Sequence, residues 1–155
     1  GGSIYSRFGF SDVFTMFLAL NASVELYKGG VVPLAEYAQR PYDRDILVGV
    51  LVPKENARFV YQSVRNSQTD FPVLTCAAAK LADGSIRTAI GARPGKAVLY
   101  TAAPEAGETA EEFAARFAAE VKAGIKTESN LRGSAEYRRH LAGVLTKRAV
   151  CRLEG

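Results

Sequence analysis

The dipeptide Asp83–Gly84 stands between two apolar runs, Phe71–Leu81 and Ser85–Gly91. An Asp-Gly pair in that setting specifies a tight hairpin, because both central positions of the favoured turn need positive φ. Antiparallel pairing is therefore fixed at this point. Flanking apolar segments at Arg58–Arg65 and Ala97–Thr101 extend the hairpin into a four-stranded meander. Two helical segments follow. Thr109 with Glu112 forms a capping box, each side chain satisfying the other's amide. Phe113, Phe117 and Val121 then recur every fourth residue, and Gly124 stops the helix. The last helix starts near Ser134 and is expected to place Tyr137, Leu141, Val144 and Leu145 on its buried face, with Arg138 and Arg139 turned away. Strands followed by helices define an α+β unit.

Ahead of this unit, Ser11 or Asp12 can cap a short apolar helix that runs to Leu20 and ends at Asn21. Residues 22–34 (ASVELYKGGVVPL) alternate on both sides of Gly29 and Gly30, which reads as strand, turn and return strand; DILVGVLVP supplies a third strand ending at Pro53. Lys54, Glu55 and Asn56 form a polar joint. The expected organisation is a helix with a small antiparallel sheet over residues 1–53, then a meander packed against two or more helices over residues 54–155.

The 155-residue chain has enough apolar content, 48%, to bury a real core. Its longest apolar run, Val13 to Leu20, is broken by Thr15 and falls short of the roughly 18 to 20 residues that span a bilayer. No basic segment followed by an apolar one marks a secretory leader, so a cytoplasmic location without membrane attachment is expected. Cys76 and Cys151 both sit in apolar surroundings and read as buried thiols. With one histidine, His140, expected on a helix surface, a zinc site and a Ser-His-Asp triad both lack support.

Charge is uneven: residues 1–53 carry four basic and five acidic side chains, residues 54–155 sixteen and eleven. Arg138, Arg139, Lys147, Arg148 and Arg152 lie along one helix, a solvated or partner-facing edge rather than a nucleic-acid surface, because no stacking aromatics or known module accompany them. GARPGKA, from Gly91, has three residues between its glycines and Ala97 after the lysine, so it is a loop between strands and not a phosphate-binding P-loop. Glu111 and Glu112 belong to a helix first turn, where the dipole favours carboxylates. Tyr61, Arg65 and Asp70 read as ordinary strand-end residues.

The opening GGSIYSRFGFSD is different. Gly1 and Gly2 let a backbone approach a bulky ligand, Ser3 and Ser6 offer hydroxyls, and Asp12 can accept from a ribose or ribityl chain. The stretch GGSIYSRFGFSDVFTMFLALNASVELY resembles the second flavin-binding segment of the FAD-binding medium subunit of the molybdenum hydroxylases, the relatives of xanthine dehydrogenase and carbon monoxide dehydrogenase. LRGSAEYRRHLAGVLTKRAV, from Leu131 to Val150, is similar to that family's C-terminal helix signature, and ARFVYQSVRNSQTDFPVLTCAAA and IRTAIGARPGKAV resemble the strands between.

The resemblance implies an electron-transfer subunit that passes electrons from iron-sulfur clusters through FAD to NAD or another acceptor, beside iron-sulfur and molybdopterin partners. It places Gly1, Gly2, Ser3, Ser6 and Asp12 against FAD, and Ile46 and Leu47 on a strand near the flavin or adenine. The family's asparagine after Gly-Gly is Ser3 here, and a lysine near the flavin in some members is Tyr61. The family's glycine-rich pyrophosphate loop precedes this segment, so the chain is expected to be a fragment that binds FAD weakly or not at all; the alternative reading is a non-catalytic subunit-docking module that does not bind FAD in isolation.

Overall fold

The computed structural model describes residues 1–54 and 57–155; Glu55 and Asn56 of the expected joint lie outside the described residues. In chain order the elements are α1 (Gly2–Tyr5), α2 (Asp12–Ala19), β1 (Ser23–Leu26), β2 (Gly30–Pro33), α3 (Leu34–Gln39), β3 (Leu47–Leu51), β4 (Arg58–Val64), β5 (Leu74–Lys80), β6 (Ile86–Gly91), β7 (Val98–Ala102), α4 (Ala110–Gly124) and α5 (Ala135–Glu154). A three-stranded sheet runs β2-β1-β3 and a four-stranded meander runs β4-β5-β6-β7, every pairing antiparallel. The fold is α+β.

Alternation along the meander explains its two-sided burial. Successive strand side chains point to opposite faces. Leu74, Cys76 and Ala78 of β5 and Ile86 and Ile90 of β6 join Val60, Val64, Val98 and Tyr100 in packing on α4 and α5, against Phe113, Phe117, Val121, Leu145 and Val150. Ala77 of β5, Ala89 of β6, Tyr61 of β4 and Leu99 of β7 face the other way, toward Phe14 and Leu18 of α2. Small residues on that second face let α2 lie close. At Gly91 an added Cβ would fall 2.3 Å from Thr15 Oγ1 and 2.5 Å from Thr75 Oγ1. Those two hydroxyls are hydrogen-bonded at 3.2 Å, a buried polar link between helix and sheet.

Several expectations need correction. Of the two candidate caps, Ser11 is the one that caps α2, its Oγ accepting from Phe14 N at 3.2 Å. The helix was expected to pack on the small sheet; it lies across β5 and β6, with the small sheet joining the same cluster. Leu34 starts α3 rather than ending a strand, since Leu34, Tyr37 and Ala38 form a buried stripe once tertiary packing is available. Phe71 precedes β5 and stays half exposed. Cys151 is exposed, whereas Cys76 is buried as expected and its thiol is pushed up to about 12 by desolvation.

On α5 the expected face is rotated. Tyr137 is 46% exposed and Arg138 is fully buried. Arg138 Nε donates to Val73 O (2.9 Å), Nη1 to Glu128 O (2.7 Å) and Gly133 O (2.6 Å), and Nη2 to Asn130 Oδ1 (2.6 Å). Burial is bearable because a planar fork of donors finds four acceptors. Desolvation, followed by the nearby Arg132 charge, lowers its pKa.

Candidate functional site

The opening segment is held from two sides. Gly9 meets the loop after β6 so closely that a Cβ there would sit 1.6 Å from Gly95 O, and Ala92 N donates to Gly9 O at 2.5 Å. The GARPGKA loop is thus the seat of the Phe8–Gly9–Phe10 turn. On the other side Arg7, in the left-handed region at φ 51, is buried between the rings of Tyr37 and Tyr42, 4.2 Å and 4.5 Å from their centroids. Its Nη1 donates to Arg40 O (2.9 Å), Pro41 O (3.1 Å) and Tyr37 O (3.4 Å), and Tyr42 Oη donates to Ser6 O. Ser6 and Phe8, the neighbours of Arg7, are fixed by these ties.

Asp12 is the first residue of α2 and its carboxylate is engaged at both oxygens. Tyr61 Oη donates to Oδ1 at 2.5 Å and Arg65 Nη2 to Oδ2 at 2.5 Å. Burial first, and the Asp12 carboxylate second, hold the Tyr61 phenol far above its ordinary pKa, so it remains a neutral donor. The Asp12 contact likewise raises the Arg65 guanidinium. Arg65 Nη1 donates to Asp70 O at 2.6 Å, and the Asp70 carboxylate pairs with Arg132 at 2.9 Å, which holds it below the usual carboxylate range. Two ion pairs therefore connect α2, β4, the turn before β5 and the approach to α5.

These residues border a cleft of about 540 Å³ lined by Gly2, Ser3, Ser6, Phe8, Phe10 and Asp12 on one side and Arg65, Asp70 and Phe71 on the other. Phe8 and Phe10 stack at 5.1 Å between centroids, and Phe10 meets Phe71 at 4.6 Å. Phe8 and Phe71 are each 52% exposed, and the Arg132 guanidinium stands 5.2 Å from the Phe71 ring centroid.

Four of the sequence-derived candidates, Gly2, Ser3, Ser6 and Asp12, thus share one cleft. Gly1 stands at the chain terminus as the N-cap of α1 and is not in the lining. Ile46 and Leu47 lie at the β1–β2 turn end of the three-stranded sheet, where Tyr27 N donates to Ile46 O (2.9 Å) and Asp45 accepts from Lys28 N and Gly29 N; they do not line this cleft. Sequence reasoning missed Arg65 and Asp70 as cleft residues, along with Phe8, Phe10 and Phe71. The available signal was three aromatics flanking a glycine turn and a hairpin; the contact between them is tertiary.

The donor set fits part of a flavin. Ring faces suit a planar isoalloxazine, and the Ser3 and Ser6 hydroxyls, without hydrogen-bond partners among the described residues, suit a hydroxylated chain. The volume falls within the roughly 300 to 1,000 Å³ of small-molecule sites. A diphosphate finds less: Arg65, the cation in the lining, commits its nitrogens to Asp12, Asp70 O and Ser63 Oγ. Among the described residues no group of three or more His, Cys, Asp or Glu is placed to hold a metal, and no helix is long and apolar enough to cross a membrane.

An α+β domain whose meander is covered by a helix pair on one face and by a cleft-bearing helix on the other defines the structural class. Residues 59–153 match the CO dehydrogenase flavoprotein C-terminal domain family, and the chain belongs to that family. No curated protein sequence matches.

Similar solved structures include quinoline 2-oxidoreductase from Pseudomonas putida 86 (TM-score 0.79, 20% identity). Others are carbon monoxide dehydrogenase from Hydrogenophaga pseudoflava lacking the Mo-pyranopterin moiety of its cofactor (0.81, 23%) and reconstituted CO dehydrogenase from Oligotropha carboxidovorans (0.80, 21%). Each match covers 99% of this chain but only 59%, 59% and 60% of the other, so the chain spans about three fifths of those chains. At these identities the likeness is one of fold.

Proposed function

We propose that this chain is the C-terminal portion of an FAD-binding electron-transfer subunit of a molybdenum hydroxylase of the xanthine dehydrogenase and CO dehydrogenase kind. In this reading residues 1–53 end the FAD lobe and residues 54–155 form the C-terminal domain. Iron-sulfur and molybdopterin subunits are its partners, and NAD or another acceptor takes the electrons. The observation that carries this is the convergence of Gly2, Ser3, Ser6 and Asp12 with Phe8, Phe10 and Phe71 on one cleft.

A bound flavin supplies the redox chemistry, and the protein supplies position and electrostatics. Phe8, Phe10 and Phe71 offer flat apolar contact and keep water from a ring. Ser3 and Ser6 bind hydroxyl or carbonyl groups. Tyr61 and Arg65 pin Asp12, so its remaining lone pairs accept from a ribityl hydroxyl in a fixed direction. Tyr61 brings no charge where some relatives, by the resemblance, carry a lysine. The shortage of a free cation for the diphosphate favours a second description for the isolated chain, a docking module with weak flavin affinity.

The test is FAD titration of a subunit extended upstream, read by visible absorbance and thermal stability. Bound flavin and a raised Tm are expected, with retention weakened in Asp12→Ala. An extended subunit that folds but shows neither signal overturns the FAD reading.

A further inference from the structure

Arg7 stands between two cleft residues, Ser6 and Phe8, without itself lining the cleft. It is 5% exposed and holds φ 51, a left-handed conformation that residues with a Cβ adopt at an energetic cost. Glycine would meet that geometry freely, but it would also leave the turn free to move. The chain uses instead the side chain with the largest set of donors.

None of the acceptors of Arg7 belongs to the cleft lining. Nε donates to Tyr5 O at 3.3 Å, and Nη1 donates to the carbonyls of Tyr37, Arg40 and Pro41. The last three lie at the C-terminal end of α3, where carbonyls lack intrahelical partners and the helix dipole favours a cation. Nη2 is buried with no hydrogen-bond partner among the described residues, and the Tyr37 and Tyr42 rings, within cation–π reach, offset its burial. Tyr42 adds a bond of its own, its hydroxyl donating to Ser6 O, and Tyr5 Oη donates to Asp43 O at 3.0 Å. The segment from Tyr37 to Asp43 is therefore joined to the opening turn at Tyr5, Ser6 and Arg7.

We propose that Arg7 is a positioning residue for Ser6. The end of α3 and the tyrosine pair lock its guanidinium, and the lock presents the Ser6 hydroxyl to the cleft before a ligand arrives. That the ligand is FAD rests on the reading above. A preformed turn loses less conformational freedom on binding than a mobile one, so affinity rises without any new contact to the ligand. Helix α3 thereby takes part in the site, although none of its residues lines the cleft.

The test uses two variants with different risks to the fold. Arg7→Gly suits the positive φ while removing every tie of the side chain; Tyr42→Phe keeps the ring beside Arg7 and deletes only the hydroxyl bond to Ser6 O. In the subunit extended upstream, FAD affinity is expected to fall about tenfold or more in Arg7→Gly and about threefold in Tyr42→Phe. With Ser6→Ala already present, the Arg7→Gly loss should shrink to about threefold or less, because a residue that acts through Ser6 then has little left to position. An undiminished loss, or unchanged affinity in folded Tyr42→Phe or Arg7→Gly, overturns the proposal. A readout without flavin comes from amide relaxation of the 155-residue chain. Order parameters at Ser6 and Phe8 near the rigid value of about 0.85 are expected to drop below about 0.6 in Arg7→Gly, with α4 and α5 unchanged. Equal order in the two chains overturns the proposal. If order drops as expected but the extended subunit takes up no FAD, the flavin reading fails while Arg7 keeps its positioning role for another cleft ligand.

Discussion

Single side chains decide more here than their type suggests. Arg138 and Tyr137 are neighbours on α5, yet the charged one is buried and the aromatic one is half exposed. Arg138 ties Val73, Glu128, Asn130 and Gly133 together, so it joins the approach to β5 to the turn before α5. Arg138→Met, which keeps bulk but removes every donor, is expected to destabilise the chain by about 3 kcal/mol or more because buried acceptors lose their partners. Tyr137→Ala should cost about 1 kcal/mol or less. Urea unfolding of both variants checks the contrast, and equal losses would contradict the structural role given to Arg138. The family-like run from Arg132 to Arg139 thereby gains a physical reason: Arg132 pairs with Asp70, Ser134 caps α5, and Arg138 fixes the turn. The charge pattern alone pointed Arg138 outward, because only the positions of four backbone and side-chain acceptors make an interior arginine stable.

At the scale of elements, α2 and α4 show what caps and close approach contribute. Gly91 gives α2 its place on β5 and β6, and Gly91→Ala should push the helix away from Thr75, costing about 1 to 3 kcal/mol and disturbing the Asp12 pair at the helix start. Chemical-shift changes confined to β6, with α2 unmoved, would contradict this. Before α4, Glu108 accepts from Arg116 Nε at 2.8 Å and Nη2 at 2.9 Å. Hydrogen bonds from Arg116 first, with help from Glu105 N, hold the Glu108 carboxyl down at about 2 against an ordinary 4.5. A depressed folded-state pKa contributes stability that is fully present above the unfolded value and lost as pH falls through the folded one. The native chain should therefore lose this contribution between about 4.5 and about 2. Glu108→Gln should flatten the pH dependence of Tm in that window; an unchanged slope would show that the pair is too solvated to matter.

The whole molecule is organised around a sheet that serves two cores. β5 and β6 contribute Cys76, Ala78, Ile86 and Ile90 to one cluster and Ala77 and Ala89 to the other. Loss of either layer uncovers a face of the same strands, so far-UV and near-UV circular dichroism are expected to report one coincident unfolding transition. Two separated transitions would mean that residues 1–53 fold apart from the meander.

Local chemistry was sufficient for the elements that repeat or cap. The Asp83–Gly84 hairpin, the Thr109–Glu112 box and the Phe113, Phe117, Val121 stripe depend on neighbours within a few residues, and all are present in the structure, although the hairpin closes between Leu81 and Ser85 through a three-residue loop in which Gly84 has positive φ (83°) and Asp83 does not. Four candidate residues of the opening segment were legible for the same reason, since glycines and hydroxyls before a capped helix form a local pattern. The rest was decided by contacts across tens of residues. Arg65 comes to Asp12 only when α2 settles on the second face of the meander, and Phe71 meets Phe10 only because Gly9 rests against Gly95. Helix α3 took shape through burial of Leu34 and Tyr37, not through a cap or a period visible in six residues. Spacing within the chain specifies hydrogen bonds inside a turn or a helix; which face of a sheet a helix covers is set by the shape and volume of side chains that meet only in three dimensions.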